Sequence, residues 1–300
     1  LFLATVRLPP SPPLFPYTPL FRSGFEELGA GQQQALINGI NQLAEELPSN
    51  VQLLLTQAMA RAELEEFDLA LASLQQLFTL DPDQSQAALL EAKILLAQNV
   101  PQPYQRLERI LEENPRDTQI RLQYARLLTA TDMRAAQTQF ELLSEQSPRD
   151  GELLLSLALI NRETGDAEAA KAYLRQLLAL EQHVDEARYY LGRFAEEEGD
   201  LEAALREYKQ VDDGREMFVA TSRGSVILLE EGRINDNRAW FDDARQRHPE
   251  KAEQLYGIEA DILTRSAEFA AAEEALDRAL AELPDASSLR HARALLAAAQ

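Results

Sequence analysis

The sequence predicts an all-α fold, a solenoid of helix pairs that repeats about every 34 residues. The first observation is the spacing of prolines. Outside an N-terminal segment, six prolines are separated by 34, 33, 33, 101 and 35 residues, and the gap of 101 residues equals three periods. They are Pro48, Pro82, Pro115, Pro148, Pro249 and Pro284. Self-similarity at such a period is typical of repeat arrays.

The second observation is a register of small and large residues. The first small position holds Ala58, Ala158, Gly192, Ser225 and Ala260. The second small position, twelve residues later, holds Ala70, Ala136, Ala170, Ala204, Asn237 and Ala272. Large residues follow at Leu74, Leu107, Phe140, Leu174, Tyr208, Phe241 and Leu276. Small residues let two helices approach closely, and a large residue fills the groove beside them.

The third observation is helical periodicity bounded by turn and capping residues. One helix face carries Leu201, Ala204, Leu205, Tyr208 and Val211. Glycines end first helices at Gly165-Asp166, Gly199-Asp200 and Gly232-Arg233. An aspartate that can cap the next helix follows four of the repeat prolines: Asp83, Asp117, Asp150 and Asp285.

These patterns divide the chain into seven full repeats, 51–83, 84–116, 117–150, 151–184, 185–217, 218–252 and 253–286. A lone second helix precedes them (Gln33–Leu47), and a lone first helix follows (Ser287–Gln300). In the second repeat Glu91 and Pro103 occupy small-residue positions, so we expect different packing there. The last helix is apolar, whereas solenoids normally end in a polar cap. We therefore interpret the solenoid, residues 24–300, as truncated at both ends.

The first 23 residues differ from the rest. They hold six of the 14 prolines and no acidic residue. Residues 13–23, PLFPYTPLFRS, agree at nine of eleven positions with TLFPYTTLFRS, the translation of a common sequencing adaptor. We interpret residues 1–23 as a translated adaptor, expect them to be disordered, and exclude them from the fold. The alternative is a genuine proline-rich tail.

Composition excludes several function classes. The chain of 300 residues has 50 acidic and 29 basic side chains, a net charge of −21. Such acidity disfavours nucleic-acid binding. The absence of cysteine excludes disulfides, thiolate zinc sites and cysteine nucleophiles. No run of about 18 apolar residues is present, so we expect no membrane span.

The sequence carries no catalytic pattern. His183, His248 and His291 lie in different repeats without the spacing of metal ligands. Acidic runs such as 196–198 are better explained as solvated helix faces. Trp240 is better explained as packing between repeats than as a ligand platform. We expect no enzyme activity, no metal and no cofactor.

The repeat resembles the tetratricopeptide repeat (TPR). Residues 185–216 match its pattern best, with Leu191-Gly192, Ala204 and Tyr208 in place, although the pattern's tryptophan is missing throughout. The resemblance implies a right-handed superhelix of helix-turn-helix units with a groove lined by the first helices. It also implies protein partners.

Groove positions carried over from the family predict a protein-binding surface. The predicted site residues are Leu55, Met59, Ala88, Ala92, Arg121, Ala125, Leu155, Leu159, Tyr189 and Arg193, with Ser222 and Val226 in the next repeat. The lysines and asparagines with which related domains clamp chaperone tails are missing, so we do not expect that partner. The acidity predicts salt-sensitive association with a basic partner surface. The alternative is that the apolar positions only pack against other helices.

Three stretches suggest a narrower resemblance: RLQYARLL (121–128), HVDEARYYLGR (183–193) and EQLYGIEADIL (253–263). They resemble TPR outer-membrane lipoproteins of pseudomonads and related proteobacteria, which bind and activate a periplasmic carboxyl-terminal processing protease. This implies an adaptor that presents substrates to that protease at the periplasmic face of the outer membrane, with a lipid anchor in the missing N-terminus. Two alternatives remain, the regulatory arm of an enzyme whose catalytic domain is missing, and a cytoplasmic envelope-assembly scaffold.

Overall fold

The computed structural model describes residues 28–299, and these residues confirm the all-α fold. They form sixteen α-helices and a short 3-10 turn, with no β-strand in this range. Residues 1–23, interpreted above as translated adaptor, lie outside the described residues, as does Gln300. No helix within residues 28–299 is both long enough and apolar enough to cross a membrane.

The chain divides into two compact units that meet in sequence at residues 146 and 147. The described part of the first unit contains α1 (Ala30–Glu46), α2 (Val51–Glu63), α3 (Phe67–Leu80), α4 (Ser85–Ala97), α5 (Gln105–Glu113), α6 (Thr118–Leu128) and α7 (Met133–Gln146). Helix α1 is the expected lone second helix. The pairs α2/α3, α4/α5 and α6/α7 form the first three repeats.

The second unit contains four helix pairs and a final helix. They are α8 (Gly151–Thr164), α9 (Ala167–Ala179), α10 (Val184–Glu197), α11 (Leu201–Lys209), α12 (Gly214–Glu230), α13 (Ile234–Arg247), α14 (Ala252–Arg265), α15 (Phe269–Glu282) and α16 (Ser287–Ala299). The expected boundary of the sixth repeat at residue 218 is wrong, because α12 begins at Gly214. Gly214 has a φ of +71°, and the backbone N–H of Asp212 donates to Asp185 Oδ1 (2.7 Å), which turns the chain early.

Aspartates begin several helices as the sequence predicts. The side chains of Asp117, Asp150, Asp166 and Asp200 accept hydrogen bonds from backbone N–H groups in the first turn of α6, α8, α9 and α11. Asp83 does not cap α4. Gln84 accepts from the Ala87 N–H in its place (2.7 Å), and Asp83 faces Arg109 at 3.1 Å.

The small residues set the distance between paired helices. Gly192 of α10 lies directly against the ring of Tyr208 of α11, which is 1% exposed. An added Cβ at Gly192 would come within 2.5 Å of Tyr208 Cε1. Gly224 of α12 is covered in the same way by the Trp240 indole. These contacts leave no room for a side chain at either glycine.

The second repeat replaces its missing small residues with an ion pair. Glu91 accepts a hydrogen bond from Arg106 Nε (2.8 Å), and the Arg106 guanidinium lies 3.6 Å from the centre of the Phe78 ring. Helix α5 is also short and begins after Tyr104, whose hydroxyl lies 2.8 Å from Thr131 Oγ1. The expected difference in packing is therefore present, and a charged pair stacked on an aromatic ring fills the space.

The sixth repeat buries two polar side chains at positions where Ala158, Ala170, Ala260 and Ala272 stand in the fourth and seventh repeats. Ser225 is 0% exposed and Asn237 is 1% exposed. Neither Ser225 Oγ nor Asn237 Oδ1 has a hydrogen-bond partner within the described residues. A buried polar atom without a partner destabilises a fold by about 1–3 kcal/mol. Both atoms therefore lower the stability of the sixth repeat.

We predict that Gly192→Ala lowers the free energy of unfolding by about 1–3 kcal/mol, because the new methyl group displaces the enclosed Tyr208 ring. Gly257→Ala is the matched control. Gly257 also lies inside a first helix, but no atom lies within 4 Å of the place that an added methyl group would take. We expect this control to raise stability by about 0.5–1 kcal/mol. Urea unfolding followed by circular dichroism measures the free energy of unfolding of both variants. Equal changes in Gly192→Ala and Gly257→Ala would contradict the close approach of Gly192 to the Tyr208 ring.

We predict that Asn237→Ala raises the free energy of unfolding by about 1 kcal/mol, since it restores the residue type found at Ala204 and removes an unpaired amide oxygen. The reciprocal variant Ala204→Asn, in the fifth repeat, is expected to lower the free energy of unfolding by about 1–3 kcal/mol. Chemical denaturation of both variants tests this. A loss of stability in Asn237→Ala would show that the amide is hydrogen-bonded after all.

Candidate protein-binding surface

Half of the predicted groove residues are core residues. Leu55, Ala88, Ala92, Arg121 and Ala125 are between 0% and 7% exposed. The reason is that the first helices α2, α4 and α6 lie against one another, so residues on their adjoining faces are covered. The assignment of these five side chains to an open groove is therefore corrected.

Arg121 turns inward. Its guanidinium donates to Gln139 Oε1 (2.6 Å) and to the Pro115 carbonyl (2.9 Å). Gln139 belongs to α7 of the same repeat and Pro115 to the turn that precedes α6, and together they hold the side chain inward. A sequence pattern alone does not distinguish this inward arginine from one that faces a ligand.

The other predicted positions remain accessible. Met59, Leu155, Leu159, Tyr189 and Arg193 are partly exposed. In the next repeat Ser222 is partly exposed and Val226 is 40% exposed. A binding role for these residues stays a prediction. We define the first-helix surface by five residues of α8, α10 and α12: Leu155, Leu159, Tyr189, Ser222 and Val226.

Arginines adjoin this surface, and sequence reasoning found only one of them. Arg193 donates to Glu197 (2.9 Å) and approaches the Tyr189 hydroxyl (3.5 Å). Arg162 of α8 reaches the same Glu197 at 3.5 Å. Arg162 follows Leu155 and Leu159 at helical spacing, and this periodicity was the available signal. The shared carboxylate joins both guanidinium groups, and that of Arg162 lies 5.7 Å from the centre of the Tyr190 ring.

A second network ties α10 to α12. Glu196 accepts hydrogen bonds from Arg223 Nη2 (2.5 Å), Arg223 Nε (2.8 Å) and the Tyr208 hydroxyl (2.6 Å). Burial opposes ionisation of Glu196, but these hydrogen bonds outweigh it and hold its pKa below the ordinary value. Burial, followed by the hydrogen bond to Glu196, raises the pKa of Tyr208. The neighbouring first helices are thus joined by a bidentate ion pair.

The remaining singled-out residues have structural contacts. Trp240 Nε1 donates to the Thr221 carbonyl (3.0 Å), and the indole covers Gly224. These contacts join the two helices of the sixth repeat, whereas the sequence predicted packing between repeats. His183 lies between Glu152 (3.3 Å) and Glu186 (3.5 Å). His248 lies 3.1 Å from Asp212. Within residues 28–299, no three histidine, aspartate or glutamate side chains are grouped closely enough to hold a metal ion.

We predict a pH-dependent contribution of Glu196 to stability. A carboxylate with a lower pKa in the folded state stabilises the fold above its unfolded pKa of about 4.3, and this stabilisation is lost as pH falls through the folded pKa. Glu196→Gln should therefore lower the free energy of unfolding by about 1–3 kcal/mol at neutral pH, and by progressively less below a pH of about 4. Urea unfolding between pH of about 3 and 7 measures the difference. Glu230→Gln, at an exposed glutamate of the same region, is the control. If the free energy of unfolding of Glu196→Gln differs from that of the unmodified chain by the same amount at every pH, the lowered pKa of Glu196 is contradicted.

Comparisons with known proteins agree with this fold. Residues 55–100 and 162–215 match the family model for the tetratricopeptide repeat. Over 114 residues, 38% of its length, the chain is 38% identical to a curated TPR repeat-containing protein of Pseudomonas aeruginosa. The chain spans 19% of that relative's length. The C-terminal part of a TPR repeat-containing protein from Cytophaga hutchinsonii has a similar fold, with a TM-score of 0.51 and 14% identity. That match covers 87% of this chain and 94% of the other.

Repeats of this type generally form non-catalytic scaffolds for protein–protein interaction, and the fold indicates this function class. That the chain has no enzyme activity of its own stays a prediction. Residues 55–100 and 162–215 thus match tetratricopeptide repeats in sequence, and the helix pairs of the described residues have the architecture of such repeats.

Proposed function

We propose that this chain is an adaptor whose first-helix surface holds a segment of a partner protein, and that the partner is a periplasmic carboxyl-terminal processing protease to which substrates are presented. The observation that carries the binding role is the row of accessible apolar side chains on three first helices. Leu159, Tyr189 and Val226 belong to α8, α10 and α12 and are at least partly exposed.

The chemistry of this surface suits a peptide segment. Tyr189 packs on a core cluster that includes Tyr208 and meets Tyr190 edge-to-face at 5.1 Å between ring centres, so neighbouring side chains restrict its ring. Arg193 is held beside it by Glu197. Rigid aromatic and arginine side chains contribute most to protein interfaces, because they bury large areas at a low entropic cost. Aliphatic neighbours then accommodate apolar residues of the bound segment.

The choice of partner is supported by sequence likeness. The three stretches that resemble pseudomonad TPR lipoproteins lie in the third, fifth and seventh repeats. The curated relative from Pseudomonas aeruginosa is a TPR repeat-containing protein. On this likeness we propose a location at the periplasmic face of the outer membrane. The net charge of −21 supports a partner with a basic docking surface.

We predict that the double variant Leu159→Glu/Tyr189→Ala binds the purified processing protease at least about tenfold more weakly, because it removes an aromatic anchor and places a charge among apolar side chains. Leu142→Glu is the matched control, since Leu142 is 37% exposed on the second helix α7. Surface plasmon resonance at two salt concentrations measures affinity and its salt dependence.

Two results would count against the proposal. Unchanged affinity of the double variant, with a melting curve like that of the unmodified chain, would exclude the first-helix surface as the docking site. Absence of any binding to the protease at low salt would exclude the proposed partner and leave only the general scaffold function.

A further inference from the structure

A polar cleft opens between the second helices α1 and α3. Its volume is about 400 Å³, and its lining includes Asn41, Gln57, Arg61, Ser73 and Gln76. Helix α2 supplies the floor through Gln57 and Arg61, and α1 and α3 form the walls. This cleft belongs to the first unit and lies between second helices, so it is separate from the first-helix surface.

Arg61 lines this cleft and makes no ion pair within the described residues. Its Nη1 donates to the Leu69 carbonyl (3.1 Å) and Ser73 Oγ (2.7 Å), and its Nη2 donates to Asn41 Oδ1 (3.0 Å). All three acceptors are neutral. By contrast, Arg106 and Arg188, which are also partly buried, each lie 2.8 Å from a carboxylate. A guanidinium has five N–H groups, so two donors of Arg61 remain for a ligand.

Buried side chains hold this guanidinium in place. Gln57 is 7% exposed and Ser73 is 2% exposed. Ser73 Oγ donates to Gln57 Oε1 (2.8 Å), and Gln57 Nε2 donates to Asn41 Oδ1 (2.8 Å). Asn41, Gln57, Ser73 and Arg61 therefore form a closed ring of hydrogen bonds. A donor fixed before binding loses little entropy when a ligand arrives, which favours affinity.

The local charge favours one carboxylate. Burial lowers the pKa of Arg61, and Glu66 opposes this from a longer distance without pairing with it. A single guanidinium with two remaining N–H groups matches the two oxygens of a carboxylate. A phosphate dianion would need more positive charge, and Glu45 at the rim adds negative charge instead.

The α3 wall also carries apolar side chains at helical spacing. Leu69 is 50% exposed and Leu80 is 43% exposed. They share one face of α3 with Ser73 and Gln76, because all four follow the i, i+4, i+7, i+11 pattern. At 1.5 Å per residue, the two leucines stand about 16 Å apart along the helix, a span of about three helical turns.

We propose that the α1/α3 cleft is a second docking site, which binds an amphipathic helical segment of a partner protein. A glutamate or aspartate carboxylate of that segment binds the Arg61 guanidinium, and its aliphatic side chains pack on Leu69 and Leu80. The proposal is independent of the first-helix surface, because the two sites share no residue.

The test uses two labelled helical peptides of about 16 residues, each with leucines spaced to match Leu69 and Leu80. One peptide has a glutamate four residues after its first leucine, on the same helix face as both leucines, and its twin has a glutamine there. Fluorescence anisotropy with the full chain should show about tenfold tighter binding of the glutamate peptide. Arg61→Gln should abolish this preference. Leu69→Ser/Leu80→Ser should weaken both peptides equally.

The variant Asn41→Asp tests whether Arg61 binds a ligand or only stabilises the fold. The new carboxylate stands where the amide oxygen already lies 3.0 Å from Arg61 Nη2, so it should occupy the guanidinium internally. We expect this variant to melt at a higher temperature and to lose the preference for the glutamate peptide. Equal binding of the two peptides by the unmodified chain would overturn the proposal, as would a preference that survives in Arg61→Gln. Leu159→Glu/Tyr189→Ala should leave peptide binding unchanged, so failure at one surface is distinguishable from failure at the other.

Discussion

The close approach of the two helices within each repeat is the constraint on which the rest of the structure depends. Where Gly192 meets the Tyr208 ring, the helices come close enough for Tyr208 to donate its hydroxyl to Glu196. That carboxylate then binds Arg223 of the next first helix. Tight packing inside one repeat thus places the polar groups that connect it to the following repeat, and a larger residue at the glycine would displace both.

The arginines at the two candidate surfaces differ in whether their hydrogen-bond acceptors are charged or neutral. Beside the first-helix surface, Arg162 and Arg193 share Glu197 and Arg162 also faces Glu163, so both guanidinium groups lie against carboxylates and apolar side chains carry most of the recognition. In the α1/α3 cleft, Arg61 is held by neutral oxygens only and keeps its charge available. An accessible, oriented arginine without an ion pair can bind an acidic segment locally despite the repulsive net charge of the chain, because screening limits repulsion to about a Debye length.

Several structural features were beyond sequence reasoning for physical reasons. Arg121 and Arg193 both occupy predicted groove positions, yet Arg121 is enclosed by Gln139 and Pro115 and Arg193 adjoins the accessible surface. Whether such an arginine is enclosed or accessible depends on which hydrogen-bond acceptors the fold places near its guanidinium. Arg61 carried no periodic signal at all, since its significance lies in neutral acceptors that come from residues far apart in sequence.

Local sequence was sufficient to predict the all-α class, the repeat period, most helix pairs and the small residues at their contacts. These features arise from periodicity and from side-chain volume, which each repeat expresses in its own residues. Three other features required the packed structure: which groove positions are open, how Glu91 is accommodated at a small-residue position by pairing with Arg106, and where α12 begins. Exposure and charge pairing depend on neighbouring repeats, because a helix face is buried or accessible according to the helix packed against it.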